Sequence, residues 1–209
     1  MEKKKISRKE REFLKHRQEI LDCALESFYT KGFHNVTMQE IARESEFAVG
    51  TIYKFFFNKE DLYRALILEK SKEFHSGLSE ALEFNEDELE SIRAYIETYI
   101  RLFMDNLKSV HLYLAETRGA SFNVRAGFDE ELRERHNEII IKLSDVFTRG
   151  IEKKLFKDVD PYLLATALEG MTHSLLIQYL EYPDKHPFDP DLIVELFFNS
   201  IIRDSRPGR

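Results

Sequence analysis

Thr37-Met38-Gln39-Glu40-Ile41-Ala42-Arg43-Glu44-Ser45-Glu46-Phe47-Ala48-Val49-Gly50-Thr51-Ile52-Tyr53-Lys54-Phe55-Phe56, continued by Phe57-Asn58-Lys59-Glu60-Asp61-Leu62, decides how this chain folds. Thr37 and Glu40 stand in the Thr-x-x-Glu relation that caps a helix N-terminus reciprocally, so a helix should begin at Met38. Its apolar members Met38, Ile41 and Ala42 recur at helical spacing, and Gln39, Glu40 and Arg43 fall on the other face. After a break near Ser45-Glu46, Phe47, Ile52, Phe55 and Phe56 supply apolar anchors, leaving Val49, Gly50, Thr51, Tyr53 and Lys54 more outward on a second short helix. Asn58 then offers another N-cap, and the acidic Glu60 and Asp61 suit the positive end of a third helix, with Lys59 where a phosphate would pass. Two short helices, a tight turn and a capped third helix are the layout of a helix-turn-helix, whose second helix is the recognition candidate.

Apolar residues recur at helical spacing along nearly the whole chain, and strict alternation over a strand-length run is hard to find, so the fold class is all-α. A first helix is expected from near Lys9 to Lys31, stopped by Gly32, which suits a left-handed position after a helix end. The helix opened by Lys59 should extend to about Glu83. Further helices are expected at about 87–106 and 108–118, followed by a Gly-bearing connector from Gly119 to Gly127 and a helix at about 129–155. Pro161 opens a helix running to about 182, and the last runs from near Asp189-Pro190 to about Arg203. About nine helices result, in two parts: residues 1–64 with the basic arm and the helix-turn-helix, and residues 65–209 as a larger helical domain.

The chain has 209 residues and a net charge of −7, unevenly shared. Residues 1–64 carry 13 Lys and Arg against 11 Asp and Glu, whereas residues 65–209 carry 18 against 27. Within residues 1–17, Lys3, Lys4, Lys5, Arg8, Lys9, Arg11, Lys15 and Arg17 face only Glu2, Glu10 and Glu12. A basic head on an acidic whole argues for a local docking surface rather than general coating of nucleic acid, because phosphate attraction follows the field near the contact. The single Cys23 sits in a helical pattern with Ile20, Ala24 and Phe28 and reads as a small buried hydrophobe, so no internal disulfide can form. No apolar run is long enough to span a bilayer and no signal segment is visible, which leads to the expectation of a cytoplasmic protein with no membrane partner.

Enzyme chemistry is the rival from another class. No Gly-x-Ser-x-Gly elbow, phosphate loop or dinucleotide fingerprint is present, and the one cysteine has no visible partner, so neither a nucleophile nor a cofactor is expected. His111, His136 and His173, with Glu116 and Glu169, show no metal-ligand spacing. An interaction module whose helix-turn-helix binds protein is a third reading, against which the basic arm, Lys54 and Lys59 argue.

Thr37, Ile41-Ala42, Gly50-Thr51-Ile52-Tyr53, Phe56 and Lys59-Glu60-Asp61-Leu62, with Gly32-Phe33 upstream, resemble the motif of the TetR family of transcriptional regulators. The resemblance is specific over about residues 17–64; beyond them only helical pattern and length are similar. It implies a homodimer that sets two recognition helices on a palindromic operator in double-stranded DNA, most commonly as a repressor, and is released by a small-molecule inducer in the larger domain. It further implies that Thr37, Thr51, Tyr53, Lys54 and Lys59 hold phosphates, that Gln39, Ala48, Val49 and Gly50 lie near base edges, and that Met38 belongs to the same DNA-binding set. Two departures stand out. Members usually carry Ala-Gly-Val-Ser where this chain has Ser45-Glu46-Phe47-Ala48, which loses a glycine and a capping hydroxyl, and Phe57 replaces a residue that is often polar.

In the larger domain the aromatic pool suggests an inducer pocket for an apolar or aromatic ligand, with Tyr99, Phe103, Met104, Tyr113, Phe122, Phe147, Met171 and His173 as its candidate lining. The last two helices are apolar over more than one face and resemble the family's dimer bundle, which makes Leu164, Leu168, Leu175, Leu192, Leu196, Phe197 and Ile201 the candidate dimer residues.

Overall fold

The computed structural model describes residues 7–83, 87–118, 122–185 and 190–202, with the side chains of 116–129 and of Pro190 outside that description. Among the described residues the chain forms nine α-helices: α1 Arg8–Lys31, α2 Met38–Glu44, α3 Val49–Phe55, α4 Lys59–Glu83, α5 Glu88–Asp105, α6 Leu107–Arg118, α7 Phe122–Glu152, α8 Pro161–Glu181 and α9 Pro190–Ile201. A 3-10 turn at Phe33–Asn35 joins α1 to α2, and an isolated antiparallel bridge pairs Phe156 with Ile202. None of the helices searched is long and apolar enough to cross a membrane.

Two compact units result, one formed by Met1–Lys70 with Asn106–Asp129, the other by Ser71–Asp105 with Glu130–Arg209. The division does not fall at a single point in the chain: α4 carries the backbone from the first unit into the second, and α6 returns to the first.

In the first unit, the Ser7 hydroxyl caps α1 by accepting from the Glu10 N–H at 3.1 Å. Gly32 ends α1 at φ 80 and ψ 146, a positive-φ backbone but not the left-handed helical one, and its N–H returns to the Phe28 carbonyl. Ile20, Leu21, Ala24 and Phe28 of α1 meet Ile41, Ala42, Ile52, Phe56 and Leu62 in one buried core, each large side chain contributing about 1.5–3 kcal/mol over exposure. The rings of Phe28, Phe33 and Tyr63 meet in tilted and edge-on contacts at 5.1–6.3 Å. Helix α6 lies against α1, where Lys108 pairs with Glu26 and His111 meets the Tyr29 ring edge-on at 6.1 Å.

In the second unit, Ile92, Tyr95, Leu143, Phe147, Leu168 and Ile193 of α5, α7, α8 and α9 are buried, as is Phe156 from the segment after α7. Helix α7 begins at Phe122, not near 129, so Gly127 lies inside a helix and not in a connector. An isolated glycine costs a helix only about 1 kcal/mol, and no proline stands there to forbid it. The helix closes in a Schellman motif: the Leu155 N–H bonds the Gly150 carbonyl at 2.9 Å, the Lys154 N–H bonds that of Ile151 at 2.9 Å, and Lys154 takes φ 61. Phe156 then folds over Gly150, where a Cβ would stand 2.1 Å from its ring. That close approach is why glycine occupies this position.

Candidate DNA-reading surface and effector region

Helix α2 has the reciprocal cap that its sequence announces. The Thr37 hydroxyl accepts from the Glu40 N–H at 3.2 Å, and the Glu40 carboxylate accepts from the Thr37 N–H at 2.9 Å. That backbone N–H, followed by the Thr37 hydroxyl, holds the Glu40 carboxyl below its ordinary range. At the other end, the Phe47 N–H bonds the Ala42 carbonyl at 2.9 Å and the Glu46 N–H bonds that of Arg43 at 3.3 Å. The turn of the helix-turn-helix is therefore a Schellman motif, with Glu46 in the left-handed region at φ 59 where a glycine would be unstrained. Glu44 is tied back to α1, accepting from Lys31 Nζ at 2.5 Å and from the Ser27 hydroxyl at 2.5 Å.

Helix α3 is built the opposite way. Ala48 is its N-cap and supplies no side-chain hydrogen bond; its carbonyl alone opens the helix, accepting from Thr51 N–H at 2.7 Å. Ile52 is the one buried residue of the helix. From α1, the Phe13 ring stacks on Phe55 at 4.5 Å and His16 meets the Phe47 ring edge-on at 5.2 Å, so the helix is braced from one side. Gln39, Ala48, Val49, Gly50, Tyr53 and Lys54 are exposed, and Thr51 is half-buried. A Cβ at Gly50 would meet nothing within 4 Å, so the surface there is open.

Three of the candidate residues are committed elsewhere. Met38 is only 5% exposed, because it shares the apolar face of α2 with Ile41 and Ala42, and its side chain does not belong to the surface. Thr37 spends its hydroxyl on the cap. The Lys59 ammonium donates to the Phe33 carbonyl at 2.8 Å and stands 4.5 Å over the Phe33 ring, tying α4 to the turn after α1. Arg17 of the basic arm turns inward as well, pairing with Glu69 at 2.5 Å beside the Phe56 ring. Lys3, Lys4 and Lys5 lie outside the described residues.

In the second unit, Tyr99 and Phe103 of α5 are buried, Met104 and Met171 are half-buried, and His173 is exposed on α8. The Tyr99 hydroxyl and His173 Nδ1 are 3.0 Å apart. Desolvation, then the Glu169 carboxylate, pushes the Tyr99 hydroxyl far above its ordinary pKa, so it stays neutral. Next to it Tyr95 is fully buried, its hydroxyl without a partner among the described residues. Phe147 is core, between Phe156 at 5.7 Å and Phe197 at 5.8 Å. Tyr113 belongs to α6 of the first unit, and the Phe122 side chain lies outside the described residues.

Among the candidate dimer residues, Leu164, Leu168, Phe197 and Ile201 are buried within the chain's own core, whereas Leu175, Leu192 and Leu196 are exposed. Leu163, at 59% exposure, joins that outward set. Sequence periodicity marks these helices as apolar but cannot divide their apolar residues between an internal and an external face.

A cleft of about 480 Å³ between α4, α5 and α7 holds a charged cluster that sequence reasoning missed. Glu88 is buried there and accepts from Lys153 Nζ at 2.7 and 2.9 Å, with Arg149 at 3.6 Å. No spacing rule joins residues so far apart in the chain. Among the described residues no group of three or more His, Cys, Asp or Glu could hold a metal ion.

The head so built is that of a helix-turn-helix transcriptional regulator. Residues 20–66 match the family model described as bacterial regulatory proteins of the tetR family. An uncharacterized HTH-type transcriptional regulator of Bacillus subtilis, YfiR, is 27% identical over 187 residues, covering 87% of each chain. The fold matches the transcriptional regulator FadR from Bacillus subtilis in complex with stearoyl-CoA, with a TM-score of 0.70 at 22% identity over 87% of this chain and 97% of that one. It also matches AibR in complex with isovaleryl coenzyme A and operator DNA, with a TM-score of 0.64 at 21% identity over 88% and 97%. The chain therefore carries a tetR-type DNA-binding head over residues 20–66, and relatives that match it along most of its length are HTH-type transcriptional regulators.

Proposed function

We propose that this protein is a cytoplasmic homodimeric repressor that sets α3 of each subunit into the major groove of a palindromic operator and lets go when a small, largely apolar ligand enters the second unit. The observation that carries the reading is the outward face of α3, where Val49, Gly50, Tyr53 and Lys54 are exposed on a helix held in place from behind. With no long amide or guanidinium on that helix, readout leans on methyl contacts and DNA shape, while Tyr53, Lys54 and Thr51 hold phosphates. Gln39 and Ala48 lie at the same edge in this reading. Leu163, Leu175, Leu192 and Leu196 supply the apolar surface for a two-fold pairing of α8 and α9, and two-fold protein symmetry calls for two-fold DNA symmetry.

For the ligand, the buried aromatic residues of α5 and the acyl-coenzyme A thioesters in the two related structures favour an acyl chain, with the neutral Tyr95 and Tyr99 hydroxyls as its polar contacts. A ligand can shift the balance between DNA-competent and DNA-incompetent dimers only by its differential affinity for the two. Domain roles follow: residues 1–64 read, and the larger part of 65–209 binds ligand and pairs subunits.

Replacing Tyr53 and Lys54 by alanine tests the reading. Binding to duplex DNA falls across all sequences, and its salt slope drops by roughly 1 for each phosphate contact removed. Unchanged affinity and slope would remove these residues from the DNA surface.

A further inference from the structure

We propose that Phe57 is a DNA contact, its ring covering the apolar C–H surface of the major-groove wall where α3 leaves the groove; the inference rests on the operator reading above. Phe57 is 84% exposed, the largest exposure of any large apolar side chain among the described residues. A single exposed apolar residue needs no explanation in itself, but this one has a structural role open to it and does not take it. It stands at N′ of α4, directly before the Asn58 cap, where an apolar side chain commonly packs onto residue N4 as a hydrophobic staple. Residue N4 is Leu62, fully buried without it.

The backbone around Phe57 is nevertheless held firmly. Its N–H donates to Asp61 Oδ2 at 2.9 Å, and Asn58 Oδ1 accepts from the Asp61 N–H at 2.7 Å. Phe56, which precedes it, is buried in the core. The ring is therefore presented outward by a fixed turn, not by a loose one. That turn follows the recognition helix immediately, so that Phe57 comes four and three residues after the exposed Tyr53 and Lys54. When the N-terminal part of a recognition helix meets base edges, the chain leaving its C-terminal end passes the sugar-phosphate wall. Deoxyribose C–H groups and thymine methyls are the apolar surface available there, and phenylalanine suits both.

The test uses the full-length protein and the duplex that it enriches from fragmented DNA of its own genome. Phe57→Ala weakens binding about tenfold, as expected for losing part of a phenyl ring's burial, with the salt slope and the melting temperature unchanged because the ring carries no charge and packs on no core residue. Phe57→Leu restores most of the affinity, while Lys54→Ala lowers affinity and slope together. Substituting deoxyuridine for thymine separates the two sources: a loss seen with the wild type but not with Phe57→Ala assigns the methyl, and equal losses assign the sugar. Phe57→Ala that binds as tightly as the wild type overturns the proposal while leaving the operator reading intact, and so does a weakening matched by a fall in melting temperature. A wild type that enriches no duplex overturns both.

Discussion

Helices α2 and α3 are each seven residues long and are stabilised in opposite ways. Both are far below the roughly 12–15 residues at which an isolated helix becomes even marginal, so each depends on what surrounds it. Helix α2 has a reciprocal cap at one end, a Schellman motif at the other, and Met38, Ile41 and Ala42 in the core. Helix α3 has an N-cap whose side chain bonds nothing and a single buried anchor, Ile52. The contrast teaches where the work is divided: α2 holds the head together, and α3 keeps its surface open for a partner at the expense of its own stability.

The comparison breaks most severely at the anchor. Ile52→Ala removes α3's only deep contact and destabilises the protein by about 3 kcal/mol in denaturant unfolding, whereas Val49→Ala on the outward face stays within about 0.5 kcal/mol. If the two cost the same, α3 is not held as described. Thr37→Ala removes the hydroxyl half of the α2 cap and lowers stability by about 1 kcal/mol, read from the same curves.

The weak features of the motif should be repairable. Ala48→Ser supplies the missing cap and raises stability by about 1 kcal/mol, visible as a higher melting temperature; no gain would mean that the first N–H groups of α3 are already satisfied. Glu46→Gly relieves the left-handed backbone at the turn and stabilises by roughly 0.5 kcal/mol, less than the full strain because glycine adds unfolded-state entropy.

The smallest expected effect is the pH response. Lys31 and then Ser27 hold the Glu44 carboxyl below its ordinary range, as Thr37 does for Glu40. A carboxyl with a lower pKa folded than unfolded contributes fully above the ordinary carboxylate range, and the contribution is lost as pH falls through the depressed folded value. Glu44→Gln should therefore lower the melting temperature slightly at neutral pH and leave it unchanged in acid, which flattens the acid limb; the effect is small because both side chains are partly exposed and screened by solvent.

Much of this was legible in the sequence because the signals were local. Thr37 with Glu40, Asn58 with Asp61, and Lys59–Glu83 as one helix need only neighbours within a few residues, and the structure has all three. The misplaced start of α7 came from giving Gly127 more weight as a breaker than one glycine carries. What was not legible was long-range pairing. Lys59 looked like a phosphate contact because its partner, the Phe33 carbonyl, is a backbone atom 26 residues away with no sequence signature. The Glu88 cluster and the inward turn of Arg17 were hidden for the same reason, and the burial of Leu168 beside the exposure of Leu196 depends on packing that periodicity does not resolve.

The most direct test of the account is to strip the purified protein of small molecules, incubate it with fragmented DNA of its own genome at near-physiological salt, and sequence what it retains. The account predicts a short palindrome with half-sites one helical turn, about 34–36 Å, or a multiple of it apart, lost when Tyr53 and Lys54 are both alanine. Retention of no sequence above background by the ligand-free protein, or of the same palindrome by the double variant, would contradict it.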